Sequence, residues 1–338
     1  MEKYLPLGKL PYDLLGRMLG IYARVTDPRV VIGPKPGEDA AVIDFPDRYL
    51  VAKTDPITFA ADEIGWYAVQ VNANDIATKG AEPKWFQASI LLPENKTTAV
   101  LVETIFRQIH DACGELGIEV VGGHTEISHS LDRPIVVGNM LGEVAKDKLV
   151  STSGAKPGDD VILTKGIVIE GTSIIAREKD AELKKRGYDG DFIERCRNVL
   201  RNPGLSVMKD ALLANRYEVH AMHDPTEGGL AAGLYELALA SETGLYIEKE
   251  RIPVSEESQT LCREFGLEPL GTITSGTLII AAPKESSGKI ISLLGDNGIA
   301  ACVIGEVKER GFGVMITSEG KSHTLAFSPR DEITKLFE

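Results

Sequence analysis

Acidic residues stand at the ends of apolar runs in this chain, and the chemistry they offer is that of a hard-cation site. The first is Asp39 in Gly37-Glu38-Asp39-Ala40-Ala41-Val42-Ile43, a glycine turn that carries a carboxylate straight into a strand-like run. The second is Asp55 in Lys53-Thr54-Asp55-Pro56. Pro56 withholds the next backbone donor, so a regular ladder is expected to stop there and Asp55 to sit at a sheet rim. The third is Asp75 in Gln70-Val71-Asn72-Ala73-Asn74-Asp75-Ile76, where Asn72 and Asp75 share a helix face. Carboxylates from three elements suit Mg²⁺, which takes a few protein oxygens, keeps several waters and completes its shell with substrate phosphates. Read singly, each acid also has an ordinary role, as turn residue, strand terminator or solvated helix position. Lys53 and Lys79 lie beside these motifs, but an exposed lysine is usually just solvated, and both stay outside the candidate set.

Two further motifs could meet phosphate. Gly122-Gly123-His124-Thr125 follows an apolar run, and paired glycines let backbone N–H groups approach an anion. His223-Asp224-Pro225-Thr226-Glu227-Gly228-Gly229-Leu230 reads as a strand-to-helix transition, with Asp224 or Thr226 as the helix cap and Glu227 in the first turn. A helix start both needs a cap and attracts anions, so the two roles are compatible. His124, His129, His220 and His223 are too scattered for zinc, and Cys113, Cys196, Cys262 and Cys302 form no close pair and read as reduced, mostly core thiols.

These residues must be held by an α/β or α+β scaffold. Helical patterns cover 12–23, 63–79 and 97–116, and strand-like runs cover 40–45, 49–55, 85–92, 118–121 and 135–144. A turn-rich stretch at 151–160 marks a boundary between domains at 1–152 and 153–338. The second half repeats the alternation, with strands at 161–164, 218–222, 245–248, 276–282 and 300–306 and helices at 192–200, 204–215 and 229–241. The polar stretch 179–191 reads as an exposed loop or frayed helix start.

The 338 residues exceed one ordinary core, which also favours two domains. A net charge of −13 argues against a nucleic-acid surface, so anionic substrates must be met locally through cations. No apolar run reaches the ~18–20 residues that cross a bilayer, and the start of the chain lacks a signal-like apolar core, so no membrane role and a cytoplasmic location are expected.

In their order and spacing these motifs, together with Gly80-Ala81-Glu82-Pro83, resemble the superfamily of aminoimidazole ribonucleotide synthetase, thiamine-monophosphate kinase, selenophosphate synthetase and the hydrogenase-maturation carbamoyl dehydratase. The resemblance implies an N-terminal domain that gives strands to a barrel shared by a homodimer, and a C-terminal α/β domain over the nucleotide cleft. It implies ATP and Mg²⁺ as cofactors, with Asp39, Asp55, Asp75, Asp224 and Glu227 as metal ligands and Asp55 and Asp75 closest to catalysis. Asp39, Thr54, Asn72, Gly122, Gly123 and Thr226 would contact ATP. The acceptor would be a small molecule or a protein-borne group whose oxygen is activated or phosphorylated. The motif at 222–230 resembles the maturation branch and Asn72 to Pro83 the kinase branch. The chain departs from both at His124, where they carry an Asp, and from the maturation branch in ending Thr334-Lys335-Leu336-Phe337-Glu338 without a terminal Cys. It also lacks the glycine-segment Cys of selenophosphate synthetase. Thiamine-monophosphate phosphorylation, or a scaffold that binds ATP without turnover, are the alternatives these departures leave.

Overall fold

The computed structural model describes residues 10–23, 25–58, 62–328 and 330–337, in two compact units. The division is not a single cut at 152/153. Residues 25–33 and 39–149 make one unit, and residues 10–23, 34–38 and 150 onward cluster together in the other. Specific contacts explain the early segments. Helix α1 (Tyr12–Tyr22) stacks Tyr12 on Phe327, and Tyr12 Oη donates to Glu236 at 2.5 Å. Lys35 Nζ donates to the Ala240 carbonyl at 3.0 Å. Gly37 has φ 88°, and a Cβ there would lie 2.9 Å from the Glu236 carbonyl oxygen, so only glycine fits that approach.

The N-terminal unit is built from β1 (Val30–Ile32), β2 (Ala41–Asp44), β3 (Arg48–Ile57), α2 (Ile64–Ala77), β4 (Glu82–Pro93), α3 (Ala99–Leu116), β5 (Glu119–Ser128) and β6 (Ile135–Ala145). The sheet order is β1-β2-β3-β6-β4-β5, and the β4–β5 pair alone is parallel. Helix α3 is amphipathic: Ile105, Ile109, Ala112 and Cys113 are buried on one stripe, Thr98 caps its start and Gly117 at φ 70° ends it. Helix α2 differs, because all fourteen of its residues are buried, polar ones included. It lies against β3, β6 and α3. Two β6 glycines make its bed: a Cβ on Gly138 would fall 2.3 Å from Asn72 Nδ2, and one on Gly142 2.3 Å from Ile76 Cγ2.

Two strand expectations are corrected. Strand β3 does not stop at Asp55 but runs through Pro56 to Ile57, paired with β6. The proline is tolerated because β2 pairs with β3 only as far as Ala52, so beyond it one side of the strand carries no ladder that needs a donor. Strand β5 does not end at Gly122-Gly123 but continues to Ser128 beside β4. A Cβ on Gly123 would lie 2.3 Å from the Ala88 carbonyl oxygen, so close packing of β5 on β4 is a sufficient reason for that glycine.

The C-terminal unit continues with β7 (Asp160–Thr164), α4 (Ile169–Glu178), α5 (Asp180–Lys185), α6 (Gly190–Asn198), α7 (Met208–Ala214), β8 (Ala221–His223), α8 (Gly229–Ser241), β9 (Gly244–Glu248), α9 (Glu256–Phe265), β10 (Ile279–Ala282), α10 (Lys284–Asp296), β11 (Ala301–Lys308), β12 (Val314–Ser318) and β13 (Lys321–Thr324). The order is β13-β12-β9-β11-β7-β10-β8, antiparallel except for β9–β12. Both sheets are thus mainly antiparallel, the α+β form of the expected class. Val161, Leu163, Ile247, Ile279 and Ile304 of this sheet join Ile175, Leu234 and Leu237 of α4 and α8 in one core. The polar stretch expected as a loop or a frayed helix start contains α5, held by the i,i+4 pairs Asp180–Lys184 and Glu182–Arg186. Helices α4, α9 and α10 were not anticipated from the sequence.

Candidate functional site

In the N-terminal unit the three aspartates come together. Asp75 on α2 is 5 % exposed, Asp39 just before β2 is 9 % exposed, and the Asp55 side chain on β3 keeps 36 % of its surface. The helix acid is therefore buried, not solvated. Burial pushes the Asp75 carboxyl up to about 7; the Lys53 ammonium opposes this, while the charges of Asp55 and Asp39 add to it. Thr54 Oγ1 donates to the Gly138 carbonyl at 2.8 Å, turning its hydroxyl to β6. Asn72 Nδ2 donates to the carbonyls of Ala68 at 2.8 Å and Asp55 at 3.3 Å, tying α2 to the strand that carries Asp55. Its buried Oδ1 accepts no hydrogen bond among the described residues. A buried hard oxygen left over on the helix that also carries Asp75 fits a cation or its water shell.

Both lysines set aside in the sequence belong to this cluster. Lys79 is 0 % exposed, with its ammonium 3.6 Å from Asp39. Lys53 reaches Asp75 at 3.1 Å and Asp55 at 3.7 Å. The available signal was position: Lys53 sits two residues before Asp55 on the same strand face, and Lys79 four residues after Asp75, beyond a helix with polar groups on every side. Gly138 was also missed; its role is to leave room for Asn72.

Gly122 and Gly123 lie within exposed β5. His124 stands on the same strand, its ring 3.2 Å from Glu126.

In the C-terminal unit, β8 delivers His223 and Asp224, both buried, to the turn that opens α8. The N-cap position of α8 falls on Gly228 and not on Asp224 or Thr226. Gly228 is left-handed at φ 82°, and its N–H donates to Asp331 Oδ2 at 2.6 Å. Asp331 Oδ1 also takes the N–H groups of Ile273 at 3.2 Å and Ile333 at 2.8 Å. The turn itself requires glycine, since a Cβ on Gly229 would lie 2.5 Å from the Leu270 carbonyl oxygen. Thr226 and Glu227 are half-buried, and the Thr226 carbonyl accepts from Gly229 and Thr274. His223 Nε2 pairs with Glu236 Oε2 at 2.8 Å, on the carboxylate that also accepts from Tyr12. Cys113, Cys196 and Cys262 are buried and Cys302 half-buried, all unbridged, and burial pushes the first three thiols up to about 12.

The two raised carboxyls give a pH dependence opposite in sign to ordinary acid denaturation. Burial lifts Asp331 to about 6 despite its three N–H donors, and Asp75 to about 7. A carboxyl whose folded value exceeds its unfolded value near 3.9 stabilises fully below that value. The contribution is lost as pH rises through the folded value. The urea midpoint of the native chain, relative to that of Asp75→Asn, is therefore expected to fall between pH 5 and 8; a constant difference would show that Asp75 titrates normally.

The sequence and the fold have counterparts. The N-terminal domain of the AIR synthase related proteins matches residues 37–144 and the C-terminal domain of the same proteins matches 156–317, so the chain belongs to the AIR synthase related family. Among its relatives, a putative hydrogenase expression/formation protein of Methanocaldococcus jannaschii is 28% identical over 317 residues, covering 91% of each chain. The carbamoyl dehydratase HypE of Rhizobium leguminosarum bv. viciae is 26% identical over 311 residues, covering 89% of this chain and 86% of its own. Solved structures share the fold, and three illustrate it. A HypE in a HypE–HypF complex gives a TM-score of 0.74 at 22% identity, covering 92% of this chain and 99% of that one. A ThiL complexed with AMPPCP and TMP gives 0.72 at 23%, covering 95% and 94%. A hydrogenase maturation protein HypE in complex with ATP gives 0.67 at 24%, covering 88% and 90%. No described helix is long and apolar enough to cross a membrane.

Proposed function

We propose that this protein is a magnesium-dependent ATP-binding enzyme that activates or phosphorylates an oxygen of a small or protein-borne acceptor. The observation that carries the reading is the convergence of Asp39, Asp55 and Asp75 from three elements, close enough that the first two charges raise the third carboxyl. The relatives named carbamoyl dehydratase, and the solved neighbours holding ATP or AMPPCP, support it.

Asp55, Asp75 and Asp39 would hold magnesium, with the orphaned Asn72 Oδ1 available to the ion or its waters; Asp224 and Glu227 are the metal ligands proposed within the C-terminal unit. Bound there, magnesium supplies charge neutralisation for the triphosphate. The protein's own part is to fix the carboxylates: Asn72 pins the Asp55 peptide, and α2, buried on all sides, holds Asp75. The acceptor oxygen attacks the γ-phosphorus as the bond to the ADP oxygen breaks. Thr54, Gly122, Gly123 and Thr226 complete the proposed nucleotide contacts. The similarity to a ThiL bound to TMP keeps a phosphomonoester acceptor as the second reading.

A homodimer is part of the proposal. Edge strand β5 leaves Val120, Val121 and Ile127 exposed, and a second copy pairing along that edge would cover them.

Calorimetry of the native chain with ATP tests the reading. Binding that strengthens on adding Mg²⁺ is expected; indifference to ATP under both conditions would end it.

A further inference from the structure

Lys53 stands between two of the carboxylates assigned to a divalent ion. Its Nζ is 3.1 Å from Asp75 Oδ2 and 3.7 Å from Asp55 Oδ2. The peptide groups around it are pinned, with Asn139 donating to the Lys53 carbonyl and Asn72 to that of Asp55, so the ammonium is aimed by a fixed strand and not by a loop. With Lys79 beside Asp39, three carboxylates face two ammonium groups. A divalent ion bridging Asp55 and Asp75 needs the oxygens that Lys53 engages, and at a few ångströms its charge repels the ammonium. The two lysines differ in freedom: Lys79 is sealed in, whereas the Lys53 side chain keeps 22 % of its surface exposed.

We propose that Lys53 is a resident cation that takes the place of one divalent ion, so that the nucleotide complex holds one metal ion fewer than the same carboxylates would hold without it. The inference rests on the ATP-binding reading above. A lysine ammonium is a compact point charge on a flexible stem, able to neutralise carboxylates in the free chain and phosphate oxygens once a triphosphate is bound. Lys53 is then a binding residue that sets metal stoichiometry.

The test counts Mn²⁺, which electron paramagnetic resonance reads as free ion, bound per chain at saturating AMPPCP. Lys53→Met is expected to bind about one more Mn²⁺ per chain than the native protein, because Asp55 Oδ2 and Asp75 Oδ2, the oxygens that Lys53 engages, are then open to a further ion. Lys53→Arg, which keeps the charge, is expected to match the native count. Lys53→Gln gives the same readout with a polar head if the Met variant does not fold. Equal counts in the native protein and the uncharged variants would overturn the proposal while leaving ATP binding intact. Absence of AMPPCP binding in the native protein would instead overturn the underlying reading, and this one with it.

Discussion

Lys79→Met is expected to destabilise the N-terminal unit by about 3–5 kcal/mol, the usual cost of removing one partner of a buried ion pair. Lys79 is fully buried and Asp39, 3.6 Å away, nearly so, and the substitution leaves a carboxylate in a low-dielectric site without its ammonium. The double variant Lys79→Met, Asp39→Asn should regain much of that loss, since no charge is then stranded. Urea unfolding followed by tryptophan fluorescence is a suitable measurement, because Trp66 and Trp85 both lie in this unit. A single variant as stable as the native chain would mean that the pair is dispensable to the fold.

Asp75→Asn is expected to lower affinity for Mg²⁺–ATP roughly 100-fold, as loss of an inner oxygen ligand should. The same substitution should raise the urea midpoint at pH 8. Burial makes the ionised carboxyl costly in the folded state, and asparagine resembles the neutral form that the fold prefers. The pairing of weaker binding with greater stability distinguishes a functional acid from a structural one; a structural acid would lose both together. Asp55→Asn should also weaken binding with a smaller change in stability, because that side chain is partly solvated. Calorimetry and unfolding on the same samples separate the two effects.

Elements with one apolar face were legible in the sequence. The stripe in α3 and the alternation in β2, β4 and β6 announce which side is covered, so their limits came out within a few residues. Helix α2 was readable as a helix, but its burial on all sides was not, since Gln70, Asn72, Asn74 and Asp75 look like solvated positions until their surroundings are known. The same blindness hid Lys79, whose residue type argues for the surface and whose place in the fold argues otherwise. The acids of the site could be named because they close apolar runs, a local signal. The partner of Gly228 could not, because Asp331 lies 103 residues further along and no local pattern joins them. Nor could Gly138 be read as the floor under Asn72, since a strand glycine is equally consistent with a bulge or a ligand contact.

Helix α1 is made early and used late. Its anchoring residues, Glu236 and Phe327, leave the ribosome more than two hundred residues after Tyr12. The last residue of the N-terminal unit is Leu149, so every residue of that unit has emerged well before Glu236 and Phe327. Throughout that interval α1 and residues 34–38 have nothing native to dock on, and an isolated eleven-residue helix is marginal in water. Synthesis therefore passes through a stage in which a fully emerged unit carries an unfinished leader with an apolar stripe, the form of the chain with most need of a chaperone. A version of the gene that moves α1 to the other terminus should shorten that stage for the helix, while residues 34–38, embedded between β1 and β2, would still wait for theirs.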